Sequence, residues 1–405
     1  MFTRTWCVAA LLIVSVPAAS QTVLSEADVL ARLTADSPRA RAIRATADVA
    51  RAEASGAGRY PNPRLSVDRE AVAGVSETLT TVLQPLPITG RRALERASAV
   101  AVADATARRA DDDVRRLRAD LRLAYAELAA AQVRERELTR SREQLVELAR
   151  ILERREAAGD AAGFDRLRSE REVLDVEADL TMAAADRARA QARLASFLAA
   201  GTDPSTLVVA DLPPGARDLP PVEALVERAE QTRGQLLGLQ KDREAAQLGI
   251  QAADRRRIPE PEVLAGTKSS SLGGGDIGSV VGVQATLPLF DRGRSERAVA
   301  QARAGQAQAE LEAFQVLLRT GVAAARSAAQ ERRRAAEAYR GAALKNIGEV
   351  ERIARVSYDA GERGILELLD AFRTSSSARV RQAALDAAAR SAEVELEYLS
   401  GWEIR

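Results

Sequence analysis

The chain has 405 residues, 29% of them charged and only 3% aromatic, with formal net charge +1 and no histidine. That length suffices for two or three ordinary domains, but so few aromatic side chains argue against one large conventional core. The near-balanced charge leaves no basic footprint for nucleic acid, and the many arginines, matched by nearly as many acids, read as solvated helix faces.

The first element is a leader. MFTRTWCVAALLIVSVPAASQ places a basic residue at Arg4, an apolar run from Cys7 to Val16 and small residues at Ala18 and Ser20. Residues 1–20 are therefore expected to be a secretory signal peptide, too short for a permanent span. The only cysteine, Cys7, falls inside it, so the exported chain is expected to carry neither thiols nor disulfides. No later segment approaches eighteen consecutive apolar residues, so any part lying in a membrane must be there as strands.

Next comes a helical run, 25–58, which stops at YPNPRLSV: Pro61 and Pro63, two apart, cannot sit inside a helix. From Pro61 to residue 87 the period changes to two. In ETLTTVLQPL, Leu79, Thr81 and Leu83 alternate with Thr80, Val82 and Gln84, and a turn at AVAGVSE makes room for two strands. Pro85 and Gly90 then lead back into helix. The span 91–157 carries a heptad seam (Leu117, Ala124, Ala131, Leu138, Leu145, Leu152) that needs a partner helix, and at 1.5 Å per residue it reaches about 100 Å. A Gly-containing turn at Gly159 separates it from a second long helix, 164–200.

The same order then recurs. After a Pro-rich connector, 202–221, comes a helix at 222–257. Pro259 and Pro261 (PEP) correspond to Pro61 and Pro63, and a second strand pair spans 259–289. In it Val281, Val283, Ala285 and Leu287 alternate with Gly282, Gln284 and Thr286. Pro288 and Gly293 (PLFDRGR) correspond to Pro85 and Gly90 (PLPITGR). Long helices at 294–360 and 365–400 flank a turn at Gly361. Three landmarks in the same order at nearly constant offset argue for duplication, with repeats 21–201 and 222–405. The fold class expected is mainly α with a small β part. Four strands cannot close a barrel, and open edges cannot exist in lipid, so strands in a membrane must be pooled among protomers.

The PNPxLS element, PL(x)3GR, the turn AG(x)5[DE] and the duplicated layout resemble the TolC outer-membrane efflux factor family; PNPRLSV followed by LQPLPITGRR is most like its cobalt-zinc-cadmium branch. The resemblance covers essentially the whole exported chain. It implies a homotrimer whose protomers share a twelve-stranded β-barrel in outer-membrane lipid above a coiled-coil tunnel through the periplasm. It also implies a periplasmic adaptor (membrane fusion) protein and an inner-membrane pump, of the resistance-nodulation-division type, as partners. In SYDAGERGILELLDA, Glu367 and Asp370 match the family's constriction acids, Arg363 its gating arginine, Tyr358 a tyrosine before the turn, and Asp165 the acid that this tyrosine contacts. Being three apart, Glu367 and Asp370 share a helix face. Gly159 and Gly361 mark the tip turns that the resemblance places against the adaptor.

Enzymatic function is disfavoured, since histidine, a mature cysteine, a phosphate loop and a nucleophile elbow are all absent. No cofactor is expected. No metal site is expected either, because good ligands for zinc, copper or nickel are missing and only oxygen donors remain. The competing reading is a secreted coiled-coil structural or adaptor protein, which explains the helices and the leader but not two matched strand pairs. The exported substrate, metal cation or small toxic compound, is left open.

Overall fold

The computed structural model describes residues 23–158, 163–214, 218–290 and 292–403. The expected signal peptide, residues 1–20, and Gly159 of the expected tip turn lie outside them.

The chain begins with α1 (Glu26–Arg32), whose N-terminus is closed by a capping box between Ser25 and Asp28. A break follows before α2 (Pro38–Gly56), which starts with proline at its first turn, where the missing N–H costs nothing. The sequence suggested one helix over 25–58; Pro38 splits it. Strands β1 (Arg64–Val72) and β2 (Val75–Pro85) form a hairpin turning at Ala73 and Gly74, both with positive φ. Then come α3 (Arg91–Ala157) and α4 (Gly163–Ala195). The expected helix to residue 200 ends early, because Phe197 and Leu198 turn into a buried cluster.

The second half repeats this order: α5 (Val222–Thr232), α6 (Gly234–Arg255), β3 (Pro261–Ser270), β4 (Asp276–Ala285), α7 (Arg294–Tyr339), α8 (Ile347–Asp359) and α9 (Ile365–Ser400). Two interruptions were not foreseen. Arg233 is extended and separates α5 from α6, held there by its guanidinium, which donates to Asp112 Oδ2 (3.0 Å) and to the Tyr398 carbonyl (3.2 Å). The expected helix 294–360 is broken by a π-helical turn at Arg340–Leu344, which contains Gly341 and is followed by Gly348, both weakening helix propensity there.

The four strands make one antiparallel sheet in the order β1-β2-β3-β4, leaving β1 and β4 as edges. Cross-strand register sorts the side chains into two faces. One carries Leu65, Val67, Val82, Val263, Val281, Val283 and Ile277 with threonines, serines, Gln84 and one charged residue, Arg69. The other carries Arg64, Asp68, Glu70, Glu77, Glu262, Lys268 and Asp276, with ion pairs Arg64–Glu262 and Lys268–Glu77. The register corrects the expected apolar face of β2: Leu79 and Leu83 stand on the charged face, and it is Val82 and the alternating threonines that share a face with Val281 and Val283.

The helices continue the sheet as a wall. Above its middle α2, α3, α6 and α7 lie side by side; below it α4, α3, α9 and α8 do so. Three buried clusters hold it. Leu117, Leu121 and Leu128 of α3 with Leu194 of α4 form the first. Leu318, Val322 and Ala329 of α7 with Leu396 of α9, their counterparts roughly two hundred residues later, form the second. The third binds Leu145, Leu148 and Leu152 to Leu368, Leu369 and Phe372 near the tips. At mid-height Leu24 bridges to Val209 in parallel, while the Gln132 side chain both accepts from Val209 N (3.0 Å) and donates to its carbonyl (2.8 Å).

Candidate periplasmic gate and the wall that carries it

The turn between α8 and α9 is built on Gly361, whose φ of +72° suits a residue without Cβ. Gly361 N donates to the Tyr358 carbonyl (3.0 Å) and Glu362 N to that of Ser357 (2.9 Å), closing the last turn of α8. α9 then starts with Ile365 buried, followed by Leu368, Leu369 and Phe372, all packed towards α3. That packing fixes the opposite side of the helix outward. Arg363, Glu367 and Asp370 are consequently exposed in the protomer, with Glu367 and Asp370 on one face.

Tyr358 and Asp165 belong to a different constellation. Tyr358 is half-buried beneath Arg155, whose guanidinium lies 5.4 Å from the ring centroid, a cation–π distance. Burial pushes the Tyr358 hydroxyl above its ordinary pKa; Arg155 opposes this, and the negative charges of Asp165 and Asp359 add to it. Asp165 thus acts on Tyr358, while the exposed acids of α9 form a separate group. Gly159 falls outside the described residues.

Three participants went unnoticed in the sequence. Arg155 gave no signal beyond being one arginine among many on α3. Arg373, three residues beyond Asp370, donates to both carboxylate oxygens of Glu172 on α4 (2.6 and 2.7 Å). Glu351 accepts from Gln144 (2.6 Å) and Ser375 (2.9 Å), tying α8 to α3 and α9. Burial pushes its carboxyl up, but these donors and Arg379 outweigh that and hold it below the usual value.

At the other end, Pro61 and Pro63 fall between α2 and β1, and Pro259 immediately precedes Glu260 and Pro261 at the start of β3. Pro85 is the last residue of β2, Pro288 follows β4, and Gly90 and Gly293 are the left-handed N-caps of α3 and α7. Among the described residues no helix is long and apolar enough to cross a membrane, and no group of three or more metal-ligating side chains occurs.

The protomer thus presents a sheet with two free edges, one mainly apolar and one charged face, on a wall of helices about 100 Å long. Residues 225–402 match the family described as Outer membrane efflux protein. The chain is 26% identical over 330 residues to the cobalt-zinc-cadmium resistance protein CzcC of Cupriavidus metallidurans, covering 79% of this chain and 76% of that one. Its fold matches the outer-membrane channel OprN (TM-score 0.78, 22% identity, 94% of this chain and 90% of that one). It also matches the outer membrane protein VceC from Vibrio cholerae (TM-score 0.76, 17% identity, 94% and 97%). The family match thus lies in the second half of the chain, while the likeness of fold extends over more than nine-tenths of it. Its fold is the one found in those outer-membrane proteins.

Proposed function

We propose that three copies pool their strands into a twelve-stranded barrel and that the duct conducts exported substrate from a periplasmic adaptor and an inner-membrane pump of the resistance-nodulation-division type. The observation that carries this reading is the sheet. Its strands of 9 to 11 residues have the length needed to cross the outer membrane at a steep tilt. Their order leaves β4 antiparallel to the β1 of the next copy, so every edge is paired on closure. The apolar face is the lipid-facing one and the charged face lines the lumen. Likeness to CzcC favours metal cations as substrate, with small toxic compounds as the alternative.

The repeats 21–201 and 222–405 each supply one strand pair and one long hairpin. At the closed end, Glu367 and Asp370 from each copy ring the axis as a cation-attracting constriction, with Arg363 beside them and Tyr358 with Asp165 bracing the turn. Gly159 and Gly361 mark the tips offered to the adaptor. The test is conductance in planar bilayers. The purified chain is expected to form a small, cation-preferring channel, and Glu367→Ala with Asp370→Ala to widen it and erase the preference. Unchanged conductance and preference in the double variant would remove these acids from the gate.

A further inference from the structure

Charge at the junction of helices and sheet is sorted between two flanks. Glu260, two residues before Glu262 in extended chain, continues the charged face of β3, where it accepts from Thr89 Oγ1 (2.6 Å) and Arg91 (3.2 Å). Arg91 also pairs with Glu95 (2.6 Å), so these groups mark the lumen flank. The next residue along α3 turns about 100° away. Arg92 and Arg96, with Gly58, Val100 and Leu248, line a groove of about 590 Å³ on the opposite flank. Arg59 stands at its mouth, its carbonyl accepting from Arg92 Nη1 (2.7 Å). On α6, Arg255 continues the flank of Glu244 and Leu248 up to the junction and is exposed.

Arg59, Arg92, Arg96 and Arg255 have no carboxylate within ion-pair distance among the described residues, whereas Arg91 and Arg256 close by are paired with Glu95 and Glu296. The acids in the groove, Asp104 and Glu244, lie at its far end, where Glu244 is paired with Lys241 (2.7 Å). Directly above the groove, exposed Tyr60 (65%) leads into Leu65 (69%) and Val67 (61%) on the apolar face of β1. Two guanidinium groups in the groove, Arg92 and Arg96, with Arg59 and Arg255 at the same junction, below an aromatic and aliphatic strip match an amphiphile with an anionic head and acyl chains pointing up the sheet.

We propose that this groove binds the phosphate headgroup of an anionic phospholipid in the periplasmic leaflet, one per protomer. The inference rests on the outer-membrane reading, since it needs lipid against β1. Arg92 also holds the α2 terminus, so the informative variants are Arg96→Gln and Arg255→Gln, whose side chains are exposed.

The full chain, reconstituted in nanodiscs of phosphatidylcholine with a minor fraction of phosphatidylglycerol, is read by native mass spectrometry for retained lipid. Phosphatidylglycerol is expected to be enriched over its bulk fraction, each glutamine to lower its relative binding constant on the order of fivefold, and the double variant to erase the enrichment. Added inorganic phosphate is expected not to displace it. Insertion without enrichment in the wild type, enrichment untouched in the double variant, or displacement by inorganic phosphate would each overturn the proposal and leave the channel intact. Failure to insert into either lipid overturns the membrane reading, and this inference with it.

Discussion

Replacing Asp112 by alanine strips a carboxylate from a charge that has no access to water. Arg233 and Asp112 are each 5% exposed and 3.0 Å apart, and the guanidinium also stacks 4.2 Å from the Tyr398 ring centroid. Through this pair the α5–α6 break is bolted to α3 and to the end of α9. Burying two charges together gains little over an apolar pair, but removing one partner leaves the other uncompensated, at a cost of about 3–5 kcal/mol. At roughly 2 °C per kcal/mol for a chain of this size, melting should fall by roughly 6–10 °C. Asp112→Leu combined with Arg233→Met should recover more than half of that loss; the remainder is the Gly234 N–H, which loses its acceptor Asp112 Oδ1 (3.2 Å). The assay is loss of helical circular dichroism in detergent at one fixed scan rate, because unfolding of such assemblies is a rate as much as an equilibrium. Asp112→Ala melting within about 2 °C of wild type, or a double variant no better than the single, would refute the argument.

Acid should loosen the mid-wall through Glu26. Burial pushes its carboxyl up, yet Arg390 and Arg122 override this and hold it below 4.5. The stability it contributes is therefore present above that value and lost as pH falls through the lower folded pKa; Glu26→Gln should melt lower at neutral pH and show a shallower acid slope. Gly58→Ala should impair assembly, since a Cβ there would sit 2.4 Å from the Arg92 carbonyl oxygen at φ +65°; normal yields of the assembled protein would contradict this. Gln132→Ala should cost about 1–3 kcal/mol by orphaning both backbone groups of Val209, and equal thermal stability would argue that water replaces the amide.

The parts legible in the sequence were those governed by local rules. Paired prolines mark a change of period, so Pro61, Pro63, Pro259 and Pro261 announced the passage from helix to strand. Heptad spacing announced that Leu117, Leu145 and Leu152 would be buried. What escaped depends on partners distant in the chain. The break at Arg233 is made by Asp112 and Tyr398, more than a hundred residues away on either side. The face of Leu79 and Leu83 is set by pairing with β1 and β3, and alternation within β2 cannot tell which of its two faces meets the charges. For the same reason the exposure of Glu367 and Asp370 was readable from their spacing to Leu368 and Leu369, while Arg155 over Tyr358 and Arg373 on Glu172 were not.

The central claim is that the open edges of β1 and β4 close on one another in a ring of three. No cysteine occurs after Cys7, so thiols can be introduced singly. Ser66→Cys on β1, paired in turn with Ser279→Cys, Val280→Cys and Val281→Cys on β4, covers the neighbouring registers; the two strands are opposite edges of one sheet, so a bond between them must join two copies. On oxidation in outer-membrane fractions, at least one pair is predicted to give a covalent ladder that ends at three chains. Monomers throughout, a ladder ending at two or running beyond three, or recovery of the protein in the soluble periplasm would contradict it.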